Sequence, residues 1–532
     1  MASQLFGRAR GSAAYRVELG FQAGVPEIIV SSQLQGMAVD LPAPLGKAAD
    51  TVMPVRFEQS VQAVRETGEG EQALSDRLKL EVGPPSARLL SLQYDRDISG
   101  AEPRVLRGSI ALGLQADEAV TLPESGVQAN LRLDDLDIDA WEAALSSPGT
   151  GVPGSTSAAG EGDHATDYLP TVAALRARQV TQAGRTFHDV VIGGDRVDDL
   201  WRANISAREF DGYVEYRQPA GRFAGNIYAR LARLELSQSV ASEVEEILQQ
   251  PSSLPALDLA VQDFVLHGRQ LGRVEVVAVN SRGPQSAPRW RLNRLQVAVP
   301  EARLNATGQW APAEGGERRF ALDFHLDVRD AGRLLARFGR DGVVRGGQGV
   351  IEGNIGWAGS PFRLDYPSMS GQLHTEVERG QFLQVEPGAA KLLGVLSLQA
   401  LPRRLALDFR DVFSAGFSFD FIRGDADIDR GVLTTNNLQM KGVNAAVLME
   451  GQADIGRETQ DLKVVVVPEI NAGTAALIAT AINPAVGLGT FLAQFVLREP
   501  LQSATTQHFH ITGSWADPRI EKVPAPAPAA KP

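Results

Sequence analysis

The chain has 532 residues, a net charge of −12 and no cysteine. The absence of cysteine excludes disulfides, thiolate catalysis and cysteine–zinc sites, and the acidic balance argues against nucleic acid as a partner. Hydrophobic residues make up 43% of the chain, which is too much apolar surface for a disordered protein. Abundant glycine with few aromatic residues is typical of many short strands joined by turns.

Residues 1–20 carry several charges and lack an apolar core, so we expect neither a signal peptide nor a membrane anchor in them. Either the protein is cytosolic, or the start of a longer exported chain is missing. A stretch rich in Gly, Ser, Pro and Ala then predicts a break between two β-rich parts. The predicted organisation is an N-terminal β-groove segment over 1–145, a flexible linker or loop over 146–166, a central β-groove segment over 167–416, a C-terminal region over 417–523 and a disordered tail over 524–532.

Two stretches show strict alternation of apolar and polar residues. The clearer one lies between Arg319 and Arg329, and a shorter one lies around Leu407. Alternation with a period of two predicts a strand with one apolar and one wet face. We therefore expect one apolar face to be lined by Phe320, Leu322, Phe324, Leu326, Leu405, Leu407 and Phe409.

A slip in the apolar alternation recurs along the chain. It separates Leu133 from Leu136, Val261 from Phe264 and Leu292 from Leu295, each time across a polar pair. Because side chains alternate across a sheet, an extra residue at a bulge keeps the same face inward. The slips predict strand bulges, with chance as the alternative.

Helices are expected to be few. Asp330 is a good N-cap for a short helix that ends at Gly339. Residues 470–497 contain no charge, and Asn483-Pro484 divides them into two short apolar helices. Such a hairpin covers an open end of the sheet or contacts lipid, and a single transmembrane helix is the third alternative. The residues expected at a membrane or at the groove end are Leu477, Ile478, Ile482, Phe491, Leu492 and Phe495.

The chain carries no recognisable catalytic or metal-binding motif. Asp425-x-Asp427-x-Asp429 resembles the start of a calcium loop but lacks its glycine and its final glutamate. His508 and His510 lie on one face of an expected strand, without an obvious third ligand. We therefore expect wet strand faces at these positions, no cofactor, no metal and no enzymatic activity.

The C-terminal part resembles a known family. The segments that carry the resemblance include Phe419 to Gly424, Ile482-Asn483-Pro484 and Thr512 to Pro518. They are similar to the C-terminal portion of AsmA-like proteins in the YhdP-type branch. The similarity is strongest over 320–522 and is thinner, but continuous, before that.

This resemblance implies a mainly β fold, an elongated, twisted antiparallel sheet curled into an apolar groove. It also implies transport of phospholipid between the inner and outer membranes of Gram-negative bacteria, and so a role in outer-membrane integrity. The implied partners are phospholipid acyl chains and one or both membranes. The implied location is the periplasm, with attachment to the inner membrane through an N-terminal anchor that is missing from this chain.

Two alternatives stay open from the residues alone. A structural or adhesive β-solenoid would share the strand pattern but carry no lipid, and an enzyme would need an unrecognised site. A groove leaves an apolar stripe facing an open channel, whereas a solenoid buries that stripe in a closed core. An enzyme would instead bring polar groups together in a cleft.

Overall fold

The computed structural model describes most of the chain as two compact units. The first comprises residues 1–220 with 226–234, and the second comprises 221–225 with 235–532. The predicted linker at 146–166 lies outside the described residues, and the other predicted boundaries stay predictions. The described ranges are 8–22, 25–67, 71–86, 88–100, 102–114, 118, 120–145, 167–182, 184–218, 224–236, 255–266, 268–281, 289–313, 317–361, 364–383, 417–442, 445–468, 480, 482–485, 487–498 and 506–524.

The first unit is built on a sheet whose strands pair in chain order, apart from a small separate sheet of β1 and β4. The pairing is antiparallel except at β9, which runs parallel to both β8 and β10. Its elements are β1 (Ala9–Gly11), β2 (Tyr15–Gln22), β3 (Val25–Ser32), β4 (Met37–Val39), β5 (Val55–Thr67), β6 (Glu71–Val82), β7 (Leu90–Asp97), β8 (Arg104–Leu112), β9 (Gly126–Asp137), α1 (Ile138–Leu145), β10 (Val172–Gln182), β11 (Arg185–Val197), β12 (Leu200–Ser206), β13 (Phe210–Arg217) and β14 (Asn226–Leu236).

The second unit is an antiparallel sheet in which each strand pairs with the next. A short 3₁₀ helix, Tyr366–Ser368, precedes β21. Its other elements are β15 (Ala256–Leu266), β16 (Arg269–Ser281), β17 (Arg289–Val299), β18 (Ala302–Pro312), β19 (Arg318–Val328), α2 (Ala331–Arg337), β20 (Val344–Ala358), β21 (Ser370–Phe382), β22 (Phe417–Asp429), β23 (Val432–Gly442), β24 (Ala445–Asp454), β25 (Thr459–Pro468), α3 (Gly487–Arg498), β26 (Gln507–Ser514) and β27 (Pro518–Val523).

The prediction of a mainly β protein with few helices is therefore confirmed. The helix after Asp330 is confirmed as α2, where the Asp330 side chain accepts a hydrogen bond from the Arg333 backbone N–H. The structure describes one arm of the expected hairpin, which is α3. Residues 469–479 lie outside the described residues.

Two of the three predicted bulges are present. Register shifts lie between Val261 and Phe264, where β15 pairs with β16, and between Leu292 and Leu295, where β17 pairs with β18. The slip that ends at Leu136 is different, because β10 carries a matching slip that ends at Val180. The two strands therefore stay in register there. The slip that they share keeps their apolar residues on one face of the sheet, as a bulge does elsewhere.

Strand alternation gives the second unit two chemically distinct faces. Leu322 has Gly308 and Ile355 as its cross-strand partners, and this side is called the apolar face. His325 has Asn305 and Glu352 as partners on the opposite side, the polar face. The apolar face continues into a buried cluster on later strands, formed by Phe419, Met440, Ala445, Val447, Val464, Val466 and Ile511.

The two edges of the second unit differ in their connections. Successive turns of an antiparallel sheet fall alternately at the two ends of its strands, which are here called the two edges. The three long connections, residues 329–343, 383–416 and 469–506, consequently all leave from one edge. The turns at the other edge are shorter, as at 430–431 and 455–458. We call them the long-connection edge and the short-turn edge.

Candidate functional site

The candidate site is a strip of half-buried apolar side chains across the middle of the apolar face of the second unit. Leu322, Phe324 and Leu326 stand in it side by side on β19, each partly open to solvent. Their cross-strand partners on β18 and β20 extend the strip in both directions. This apolar strip consists of Leu295, Leu304, Leu322, Phe324, Leu326, Ile351, Ile355 and Leu373.

A row of buried aromatic rings bounds the strip on the side of the short-turn edge. Trp290, Trp310, Phe320 and Trp357 are successive cross-strand partners, and each is at most 4% exposed. The rings of Phe320 and Trp357 meet edge to face at 5.0 Å. Phe320 therefore lies on the predicted face, but within this closed wall rather than in the open strip.

The indole groups fasten this aromatic row to the connecting segments. Trp310 donates its Nε1–H to the Gly359 carbonyl at 2.7 Å, and Trp357 donates to the Ser360 carbonyl at 2.8 Å. A buried indole N–H needs such a partner, since an unpaired one costs free energy. The row is thus a fixed wall.

Helix α2 lies at the opposite end of the strip. A Cβ at Gly347 would lie 3.0 Å from the Ala331 Cβ of α2 and 3.5 Å from the Val377 Cγ1. Gly347 also has a φ of +84°, so glycine fits both the backbone and the close approach of the helix. Because Val377 packs against the buried cluster of the apolar face, α2 lies beside that face.

The two walls define what the strip can do chemically. From Leu322 to Leu326 the strip spans about 14 Å along β19, at about 3.4 Å a residue. Its side chains carry no acid, base or nucleophile, so it can accept an apolar chain but cannot catalyse a reaction on it. Within the part of the chain that the structure describes, no group of three or more His, Asp or Glu side chains is placed to hold a metal.

The first unit has an apolar face of its own. Phe57, Leu80, Leu92 and Ile110 are successive cross-strand partners on β5 to β8. At the β2 end of the sheet the side chains of this face are largely exposed, and they alternate along the strand: Tyr15, Val17, Leu19 and Phe21. The alternation in β2 is the sequence pattern that indicates this face, which the predictions from the sequence do not include.

A buried ion pair interrupts the apolar face of the first unit. The Arg96 Nη2 lies 2.6 Å from the Asp76 Oδ2, and the Arg96 Nε lies 3.0 Å from the Asp76 Oδ1. Gln59 and the Tyr168 hydroxyl bind the same pair. Burial raises the pKa of the adjacent Tyr94 to about 12. Every member is hydrogen-bonded, so the cluster closes this end of the face instead of offering a free charge.

The residues expected at a membrane or at the groove end are only partly described. Ile482, Phe491 and Leu492 pack with Leu488 against the polar-face side of β24 and β25, in a cluster with Ala446, Leu448, Val465 and Val467. The structure thus places α3 on the side of the sheet opposite the apolar strip. Phe495 lies in α3, but its side chain is outside the described parts, as are residues Leu405, Leu407, Phe409, Leu477 and Ile478 altogether.

Side-chain amides of β23 hold the segment that leads into α3. Asn436 donates to the Pro484 carbonyl at 2.8 Å, and Asn437 donates to the Ile482 carbonyl at 3.3 Å. Gln439 donates to the Thr480 carbonyl at 3.3 Å. Three carbonyls of this segment, those of Thr480, Ile482 and Pro484, are therefore held by side chains of β23. None of the helices that the structure describes is long and apolar enough to cross a membrane.

Comparison with known proteins identifies the family to which the chain belongs. The family model described as "YhdP protein" matches residues 1–520. Over 223 residues the chain is 33% identical to a protein of Escherichia coli (strain K12) named "Intermembrane phospholipid transporter YhdP". That match covers 42% of this chain and 18% of the relative. No solved structure matches the chain. Since the family model covers nearly the whole chain, the chain belongs to the YhdP protein family.

Proposed function

We propose that this chain is part of a periplasmic, lipid-conducting β-groove that carries phospholipid between the inner and outer membranes. The observation that carries the proposal is the apolar strip, where Leu322, Phe324 and Leu326 stay half-exposed between two walls. A closed solenoid core would bury these side chains completely. The name of the E. coli relative supports phospholipid as the cargo.

The physical reason is the cost of apolar surface in water. Each methylene of an acyl chain that moves from water onto the strip gains about 0.8 kcal/mol. The neighbouring residues of the strip are all apolar and similar in kind, so no single position binds the acyl chain much more tightly than the others. The headgroup stays in water at the open side. Passage of phospholipid in this way serves outer-membrane integrity.

The C-terminal apolar segment has a separate proposed role. We infer that the residues around α3 contact a membrane or close the groove end. The absence of charge over 470–497 supports this role, and so do the hydrogen bonds by which side chains of β23 hold the carbonyls of Thr480, Ile482 and Pro484.

Photo-crosslinking in cells tests the proposal. A photo-reactive amino acid at Leu322 or Leu326, or at Leu405, Leu407 or Phe409, is expected to capture phospholipid that mass spectrometry identifies. Asp323 and Asp327 are matched controls, since they alternate with the strip residues on β19 and point to the polar face. Equal capture of phospholipid at the control positions would show that the groove assignment is wrong.

A further inference from the structure

The polar face of the second unit contains a cleft that lipid conduction does not use. Its volume is about 810 Å³, within the range of ligand-binding pockets. His325, Glu352, His374 and Asp425 contribute to its floor, from four neighbouring strands. Pro484 lines the cleft from the segment that leads into α3. We call this the polar cleft.

Hydrogen bonds fix the floor of the polar cleft. The His325 Nδ1 lies 2.8 Å from the Glu352 Oε2, and the His374 Nδ1 lies 2.8 Å from the Asp425 Oδ1. Asn437 donates to the other Asp425 oxygen at 2.7 Å. The Glu352 and Asp425 carboxylates are thus oriented before any ligand arrives, which lowers the entropy cost of binding.

The Pro484 side of the cleft is fixed as well. Asn437, which orients Asp425, also binds the Ile482 carbonyl. Asn436 binds the Pro484 carbonyl at 2.8 Å. The Asn437 amide therefore links Asp425, in the floor of the cleft, to the segment that carries Pro484.

Charge decides what the polar cleft can accept. In the described part of the chain four carboxylates line it, those of Asp323, Glu352, Asp425 and Asp427. Among the lining residues that the structure describes, Arg294 is the one permanent cation, and it lies 3.7 Å from a carboxylate outside the cleft, that of Glu275. The cleft therefore has an excess of negative charge, and the amides of Asn305, Asn354 and Gln372 supply further acceptors.

We propose that the polar cleft is a docking site for a segment of a partner protein that presents lysine or arginine side chains. The occupant's cations would bind at Glu352 and Asp425, since charged hydrogen bonds to pre-oriented carboxylates are the strongest that this surface offers. The carboxylates of the cleft lie on the face opposite the side chains of the apolar strip, so an occupant bound to those carboxylates would leave the strip free. The proposal does not depend on lipid transport.

A binding experiment on the full chain tests this docking site. The probe is a fluorescein-labelled tri-arginine peptide, measured by fluorescence anisotropy, with tri-glutamate as the negative control. We expect saturable binding that weakens at least tenfold in the Glu352→Gln/Asp425→Asn double variant and weakens as salt rises. Asp341→Asn is the matched control, since this exposed carboxylate of the same unit lies outside the cleft.

A second variant guards against unfolding. Asp323→Asn changes an exposed lining residue and should leave the fold intact while weakening peptide binding about threefold. Phosphoethanolamine is the competing ligand, and tighter binding of it than of the peptide would assign the cleft to a lipid headgroup and overturn the proposal. Unchanged peptide affinity in Asp323→Asn and in the double variant, or no peptide binding to the wild-type chain, would overturn it too.

Discussion

Arg337 on α2 and Glu301, in the turn before β18, form a two-pronged ion pair. The Arg337 Nη2 lies 2.8 Å from the Glu301 Oε1, and the Arg337 Nε lies 3.0 Å from the Glu301 Oε2. Both side chains are mostly buried. The pair fastens the helix that bounds the apolar strip to the strands beneath it.

Breaking this pair is expected to loosen α2. Arg337→Met should lower the free energy of unfolding by about 1.5–3 kcal/mol, the range for hydrogen bonds to charged groups. Urea unfolding measures the loss. Arg333→Met is the control on the same helix, because the Arg333 side chain is 80% exposed and its loss should cost little. Equal losses in the two variants would contradict a wall fixed by Arg337.

The same pair predicts a pH dependence. Hydrogen bonding from Arg337 is the main reason that the pKa of Glu301 lies below its usual value. A carboxylate with a lowered pKa stabilises the fold above its unfolded-state pKa, and this stabilisation is lost as the pH falls through the folded-state pKa. The difference in stability between the wild type and Arg337→Met should therefore shrink as the pH falls below about 4. A difference independent of pH would contradict this.

Removing one partner of the buried pair of Asp76 and Arg96 is expected to destabilise the fold more than replacing both partners with apolar residues. Arg96→Leu should destabilise the chain by about 3–5 kcal/mol, because it leaves a buried charge without a partner. The double variant Asp76→Leu/Arg96→Leu should lose less than the single variant. Urea unfolding of both variants checks this, with Arg56→Leu, at an exposed position of β5 in the same sheet, as the control. A double variant that is less stable than the single one would contradict the argument.

Two neighbouring residues on β19 separate the functions of the two faces. Leu322→Asp puts a charge into the apolar strip, whereas Ala321→Asp puts it on the exposed polar face. We expect the phospholipid that co-purifies with the protein to fall severalfold in Leu322→Asp and to stay unchanged in Ala321→Asp, as lipid mass spectrometry would show. Circular dichroism checks that both variants remain folded. Equal loss of lipid in two folded variants would refute the role of the strip.

The packing of α3 can be tested at its most buried residue. Leu488 is 1% exposed, and Leu488→Ala should cost about 2–5 kcal/mol of local stability through the cavity that it leaves. Hydrogen exchange should become faster in α3 and in 480–485 but not in β19. Thr490→Ala, at an exposed position of the same helix, is the control. Uniformly faster exchange in every strand would show that α3 is part of the global core instead of a separately detachable element.

The sequence predicts β19 and its faces well, because alternation with a period of two follows directly from strand geometry. It also predicts α2, since Asp330 supplies the cap that the helix needs. It does not predict the ion pair of Asp76 and Arg96, whose partners lie on adjacent strands and meet only through strand register. Residues that face each other across strands follow from the sequence only once the register is known.

The side on which α3 packs was missed although a pattern indicates it. Ala445 to Leu448 and Val464 to Val467 are unbroken apolar runs without alternation. Such runs are typical of strands buried on both faces. They predict that something covers the polar-face side of β24 and β25, but they do not name the covering segment. That segment is identified only by the contacts of Ile482 and Leu488 in the structure.

The short-turn edge makes the chain suitable for single-site labelling. Its turns at 456–458 and 515–517 are exposed and lie next to each other, since the Trp515 backbone N–H donates to the Glu458 carbonyl at 2.8 Å. Because the chain has no cysteine, Arg457→Cys or Ala516→Cys would supply a unique thiol there. A fluorophore or spin label at that thiol lies away from both the apolar strip and the polar cleft. Spectroscopic distances from this label to a labelled phospholipid would then follow the cargo without disturbing either surface.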